Sequence, residues 1–362
     1  MKRIAVIGAG PAGSYVGMQL AKRGYDVDIY EEHPAVGEPF QCTGILTTQL
    51  ERFVPVRQDW HLNKVYIARI KCDDEFIDVN LNKHNEIIHR VNFDKWLAEE
   101  AVKSGARLHL RHRFIKNDGM SLTIKDVEND KEFTRDCDYL IGADGPSSTV
   151  AKCNGLYGDR KFWIGIQAQA EYKNQNIVEV LPQVGTFGWV VPENDHIVRI
   201  GLIGDTKVKE VFDKMLKDYG ITKIHAYQGG LIPKYNRKVK TQKGNIFLIG
   251  DAALQVKATT AGGIIQALIA GDALVKAITE NKSYEKLWRK AMGKDLWLHS
   301  FMRNLMDKFT DADVKYCIKL FQQPRLKSIL EKFDREYPSQ FFFKMLLLEP
   351  RLLYFSKFLF TR

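Results

Sequence analysis

Residues 3–13 read RIAVIGAGPAG and residues 26–31 read DVDIYE. The first is an apolar run of strand length ending in glycines, a helical stretch over 13–24 follows, and the second is again a strand. This opening predicts a βαβ unit. Gly8, Gly10 and Gly13 fall in the G-x-G-x-x-G spacing. Gly8 permits a tight turn, Gly10 lets a pyrophosphate approach the backbone, and Gly13 lets helix and strand pack closely. The helix start, with Ala12 in the same turn, then offers free N–H groups and a positive dipole end to phosphates. Glu31, 18 residues after Gly13, closes the second strand where a carboxylate takes ribose hydroxyls, with Glu32 beside it.

Working outward, two more strand-to-glycine turns appear. DYLIGADG runs into Gly142-Ala143-Asp144-Gly145, and NIFLIG runs into Gly250-Asp251. Gly262, Gly263 and Ile264 open a long helix over 262–280. An aspartate at a strand end can bind a second ribose, and a glycine-opened helix can direct its dipole at an anionic ligand. Taken singly, either turn is compatible with an ordinary loop; the order of all three is more specific. Residues 160–203 carry strand-like segments (FWIGIQAQAEY, HIVRIGLIG), 92–104 and 207–219 read as helices, and everything from 283 onward reads as helical. The expected architecture is α/β: a Rossmann-like dinucleotide domain over 1–58, 84–155 and 240–285, an interleaved mixed-sheet substrate domain over 59–83 and 156–239, and a C-terminal helical region over 286–362.

The three motifs in this order resemble the para-hydroxybenzoate hydroxylase superfamily of FAD enzymes over roughly residues 1–285, and within it the geranylgeranyl reductase family of archaeal type. The resemblance implies non-covalent FAD held by Gly8, Gly10, Ala12, Gly13, Glu31, Glu32, Asp144, Gly145, Gly250, Asp251, Gly262, Gly263 and Ile264. It also implies that Arg90, in HRVNFDKWL, lies beside the cofactor. Gly37-Glu38-Pro39-Phe40-Gln41-Cys42-Thr43-Gly44 is similar to the family's G-x-P-x-x-C-x-G loop, whose cysteine sits near the flavin's reactive edge. Phe187-Gly188-Trp189-Val190-Val191-Pro192, followed by Gly201, is similar to its Y-x-W-x-F-P…G-x-G lipid-pocket signature. Phe187 stands for Tyr there, Val191 for Phe and Ile203 for the last Gly; Leu254 and Ala261 occupy usual glycine positions of the GDAAGQVKxTTGGGI run.

The implied activity is reduction of carbon–carbon double bonds in polyprenyl chains of isoprenoid ether lipids or their precursors. Cys42 is then the catalytic candidate, as proton donor or gate, and Phe187, Trp189 and Pro192 wall the isoprenoid pocket. The bland alternatives are a small buried cysteine and ordinary aromatic core. Rival functions are a flavin monooxygenase or halogenase of the same fold, and a non-catalytic prenyl-binding carrier. The electron donor is left open among nicotinamide, ferredoxin and a deazaflavin.

The remaining composition bounds the setting. Five cysteines without a C-x-x-C pair argue against a disulfide framework and a zinc site. No metal is expected; His33, His61 and His84 fit no ligand spacing. The apolar strand at the N-terminus leaves no space for a cleavable signal, and no run of about 18 uncharged apolar residues occurs, so a cytoplasmic protein is expected. The net charge is +10, of which residues 283–362 supply +7, with sixteen Lys and Arg against nine Asp and Glu. No nucleic-acid partner is expected. The run Gln340–Phe360 is too charged to span a bilayer, yet apolar enough to lie in its surface, close over a lipid cavity, or pack into the protein's own core.

Overall fold

In the strand Arg3–Ile7, Ile4 and Val6 point one way and Ala5 and Ile7 the other, and all four are buried. A strand covered on both faces belongs inside a parallel α/β sheet. The computed structural model, which describes residues 1–183 and 185–359, places it there. The sheet runs Gln242–Lys243, Ile246–Leu248, Tyr139–Gly142, Arg3–Ile7, Asp26–Tyr30, Arg107–His109, parallel except for the first pair. Ile4 and Val6 pack on helices α1 (Pro11–Ala21), α2 (Arg90–Lys103) and α5 (Ile264–Thr279). Ala5 and Ile7 face the short helix α3 (Thr149–Cys153) and a three-stranded meander, His112–Asp118, Ser121–Asp126 and Lys131–Asp136.

This order decides where the motifs lie. The strands Ile246–Leu248, Tyr139–Gly142 and Arg3–Ile7 are immediate neighbours, so the three glycine turns that follow them emerge side by side at one edge of the sheet. Sequence distance is erased by strand adjacency.

A second sheet of eight strands forms a roof, in the order Ile224–Pro233, Phe162–Glu171, Ile197–Gly204, Thr186–Pro192, Ile177–Gln183, His61–Cys72, Glu75–Ile88, Ile45–Thr47. Its pairs are antiparallel except for Ile177–Val180 with Ile67–Ile70, which makes it the mixed sheet expected. It takes in more chain than 59–83 and 156–239: Ile45–Thr47 joins it, and the hairpin strand continues to Ile88. One face packs on α4 (Val208–Asp218) through Ala168, Val190, Ile200, Leu202 and Phe212. The alternate residues, including Trp163, Phe187 and Ile203, face the motif loops and meet Ala258.

The C-terminal region consists of helices α6 (Tyr284–Trp288), α7 (Lys294–Met306), α8 (Asp311–Phe321), α9 (Pro324–Lys332) and α10 (Phe342–Leu348), then a 3-10 segment Pro350–Leu359. It buries Phe309, Ile318, Leu326, Phe341 and Phe355 against Cys72, Ile77 and Val79 of the roof hairpin. Among the described residues no helix is long and apolar enough to cross a membrane. Phe360 lies outside the described residues.

Candidate functional site

Each motif glycine meets a different constraint. Gly8 has φ +99°, and a Cβ there would stand 2.4 Å from the Ala143 carbonyl oxygen, so the first and second motifs touch through it. A Cβ on Gly13 would stand 2.0 Å from the Gly8 oxygen, the close approach of helix to strand expected of it. Gly10 is the opposite case: a Cβ there meets nothing within 4 Å, so its face of the turn is open. α1 starts at Gly10 with Pro11 at its first position, without a side-chain cap or an acidic residue in its first turn. Its leading N–H groups and dipole are therefore left for an anion. Glu31 accepts from the Ala9 N–H at 2.9 Å and from the His33 backbone and ring, which ties the second strand to the turn. Glu32 does not join it. It is exposed and pairs with Arg113 at 2.8 Å, because its side chain follows the end of the strand toward the meander.

The third motif closes on the first: a Cβ on Gly250 would stand 3.0 Å from that of Ala12. Asp144 is spent locally, accepting from Ser148 Oγ and the Val150 N–H and so holding the start of α3; burial pushes its carboxyl up while these bonds pull it down. Gly145, at φ +72°, is open, with nothing within 4 Å of a built Cβ. Asp251 differs from Asp144. Among the described residues no hydrogen bond to its carboxylate is made, and burial pushes its pKa up to about 6 against the pull of Arg90. Gly263 packs over it, 3.0 Å from Oδ1 to a built Cβ, and caps α5, which also lacks a side-chain cap and an acidic first turn. Ile264 is the buried first residue of that helix.

The Cys42 loop lies between this edge and the roof. Arg90 is clamped in two parallel bonds by Asp94, both at 2.8 Å, and its guanidinium also reaches Cys42. Cys42 Sγ accepts from the Gly44 N–H at 3.3 Å. From above, Arg199 donates to the Thr43 and Ile88 carbonyls and pairs with Glu193 at 2.5 Å. Arg199 and Glu193 are buried; removing one partner of such a pair costs about 3–5 kcal/mol. Thr43 donates to Gln167 Oε1, which also accepts from Trp189 Nε1. Trp189 and Phe187 share the front face with Trp163, Ile203 and Ala258, and Ala261 packs against the same group.

Pro192, expected beside them, is not. In a strand successive side chains alternate, so Pro192 shares a face with Val190, toward α4, and its carbonyl accepts from Asn63. His61 and His84 are engaged with buried Glu86; Glu51, His84 and Glu86 bring ligand-type atoms within 4.8 Å of one another.

The sequence reading missed Arg199, whose signal is a lone charge inside HIVRIGLIG. It also missed Asp94, four residues after Arg90, Gln167, and the buried pair of Lys257 and Glu336.

An open helix start beside Gly10, a second uncapped helix start at Gly263 and an unpaired carboxylate between them fit a long dinucleotide with an anionic middle. The chain belongs to the FAD binding domain family, whose model matches residues 1–280. Its cofactor is FAD. More particularly, it is 26% identical to digeranylgeranylglycerophospholipid reductase of Methanosarcina acetivorans, covering 90% of both chains. It is 29% identical to digeranylgeranylglycerophospholipid reductase 2 of Methanococcoides burtonii, covering 86% of each. A geranylgeranyl bacteriochlorophyll reductase-like protein from Thermoplasma acidophilum shares the fold at a TM-score of 0.83, with 19% identity over 97% of each chain. A flavin-dependent brominase also shares it, at 0.74 and 14% identity, over 97% of this chain and 99% of its own.

Proposed function

We propose that this protein is an FAD-dependent reductase that saturates carbon–carbon double bonds of geranylgeranyl or other polyprenyl chains in isoprenoid ether lipids or their precursors. The observation that carries the reading is the loop of Cys42: Cys42 packs on the core of the dinucleotide domain beside Arg90, and the next residue, Thr43, bonds Gln167 of the roof, which also accepts from Trp189 Nε1. The names of the two archaeal relatives support the same substrate class.

In this reading Glu31 holds the adenosine end, the start of α1 at Gly10 holds the pyrophosphate, and Asp251 with the turn Gly262–Gly263 holds the flavin end. FAD supplies, when bound and reduced, the hydride that an alkene carbon accepts. An isolated alkene is too weakly polarised to take hydride alone, so the neighbouring carbon needs a proton. The Cys42 thiol holds that proton, and its sulfur regains one from solvent afterwards. Arg199 positions the loop through Thr43. Trp163, Phe187, Ile203 and Ala258 exclude water from the chain being reduced. Electrons come from an external donor, a nicotinamide, ferredoxin or deazaflavin. The exposed apolar side of the C-terminal segment rests on the membrane surface from which the lipid is drawn.

The test is direct. Purified protein is expected to be yellow and, once reduced with dithionite in the absence of oxygen, to add two hydrogens per double bond to a digeranylgeranyl phospholipid, read by mass spectrometry. Cys42→Ala is expected to keep its FAD and lose about a hundredfold in rate, the range for a positioned proton donor. Oxygenated or halogenated product would move the assignment to a monooxygenase or halogenase, and a colourless protein to a prenyl carrier.

A further inference from the structure

Lys257 and Glu336 form an ion pair at 2.6 Å in which neither side chain reaches solvent appreciably. Glu336 comes from the C-terminal region, outside the span matched by the FAD binding domain model. Its two oxygens also accept from Gln266 in the first turn of α5 and from Thr47, which follows the Cys42 loop. The pair therefore ties three segments together at one point. Taking two such charges out of water costs several kcal/mol each, and an apolar pair would fill the same space without that cost.

Its location is specific. The Lys257 N–H donates to the Gly262 carbonyl, and a Cβ built on Gly262 would stand 3.0 Å from Lys257 Cε and 3.3 Å from Nζ. Of the two members of the pair the ammonium is the nearer to the turn that opens α5, on its Gly262 side, while the Asp251 carboxylate approaches the Gly263 side, 3.0 Å from Oδ1 to a built Cβ. A full positive charge is added where the helix already presents its positive end. The carboxylates that oppose it are Glu336, its partner at 2.6 Å, and Asp251 on the Gly263 side of the turn. His299, bonded to Thr259 at 2.7 Å, is kept neutral, its pKa pushed down to about 3 by burial and by Lys257. Arg335 adds a second positive charge, and it and Lys257 hold Glu336 down to about 2 in spite of burial. Asp334 acts on Lys257 from the same segment.

We propose that the Lys257–Glu336 pair sets the reduction potential of the bound FAD. Two electrons taken up with one proton leave the flavin with one extra negative charge. Lys257, beside Gly262, stabilises that charge, and Glu336 fixes the ammonium in place. The inference rests on the placement of the flavin end at this turn, not on the identity of the lipid. Both residues are positioning residues: neither is assigned contact with the reacting atoms.

The experiment is a dye-coupled redox titration of the full-length, FAD-loaded protein. A Lys257→Met/Glu336→Gln double variant removes both charges and so leaves none unpaired. It is expected to retain FAD and to titrate at a lower potential than the unsubstituted protein. A Lys257→Gln/Glu336→Gln variant, which keeps polar partners for Gln266 and Thr47, is measured in parallel, so that poor packing of the methionine does not decide the result. Lys257→Arg is expected to stay close to the original potential. Either double variant titrating at or above the original potential overturns the proposal, as does Lys257→Arg shifting as far as they do. Placement is checked separately: undiminished FAD binding by Asp251→Ala would refute the position of the flavin end, whatever the potentials.

Discussion

Asp251 lies in the turn after Ile246–Leu248 with no hydrogen bond to its carboxylate among the described residues, and this single residue sets a pH dependence. Its folded pKa, about 6, lies above the ordinary carboxylate value of about 3.9, so the fold favours the protonated form. Its contribution to stability is complete below that ordinary value and is lost as pH rises through 6. Asparagine carries no charge at any pH. Asp251→Asn apoprotein should therefore melt higher than the unsubstituted protein at pH 8 and equally at pH 4, while binding FAD more weakly; an Asn variant that melts lower at pH 8 would contradict this. At the same scale, the departures at Leu254 and Ala261 become intelligible. Both adopt positive φ, +58° and +54°, the conformation that glycine takes without penalty. The backbone thus keeps the shape implied by the resemblance although the side chains differ, and fully buried Leu254 offsets part of the strain by packing. Arg199, by contrast, could be noticed in the sequence but not interpreted. Its partners Thr43, Ile88 and Glu193 are brought to it by folding alone.

The C-terminal segment shows how one element divides between two of the outcomes left open for it. Met345, Leu352, Phe355 and Phe358 enter the core shared with the roof hairpin. Phe343, Leu347, Leu353 and Tyr354 do not: they are 58%, 82%, 54% and 48% exposed. Apolar content was readable from the sequence, but which half is inward depends on the 3-10 winding of Pro350–Leu359, which shifts the period from that of an α-helix. The basic groups within the segment are partly spoken for, Arg351 by Glu349 and Lys357 by Asp313. Attachment to a lipid surface should therefore depend on apolar area more than on charge. Burying a Leu or Phe side chain is worth about 1.5–3 kcal/mol. Phe343→Ser/Leu347→Ser/Leu353→Ser should lower co-sedimentation with anionic vesicles by at least about tenfold, with the melting temperature unchanged. Equal sedimentation of a folded triple variant would remove the membrane role. Truncating the segment would be a poorer test, since it strips Phe309 and Ile318 of their cover.

For the molecule as a whole, FAD is expected to act as a structural member. The loops proposed to hold it leave three neighbouring strands, and the Cys42 loop joins them to the roof. A ligand bound only by the native form stabilises it by about 2.7 kcal/mol at a hundred times its dissociation constant. Stripping FAD should lower the melting temperature, re-addition should restore it, and calorimetry should show one transition moving; a roof transition indifferent to FAD would speak against the coupling. The parallel sheet, its three turns and the helices around them were legible because each is announced by a local pattern of strand, glycine and helix. The roof's edges were not, since Ile45–Thr47 and the end of the hairpin are recruited by partners remote in sequence. Nor was the contribution of Glu336, which carries no local signal.

Among the described residues, the one parallel pairing in the roof joins Ile177–Val180 to Ile67–Ile70, across more than a hundred residues of chain. A ribosome must therefore release half the polypeptide before that ladder can close, and more still before Ile246–Leu248 arrives to supply the third turn. Until then an apolar hairpin and an unfinished sheet wait together in the nascent protein, the state most exposed to aggregation. Cofactor capture is consequently a late event in biosynthesis, and growth conditions that starve the cell of riboflavin should be felt first as loss of soluble yield.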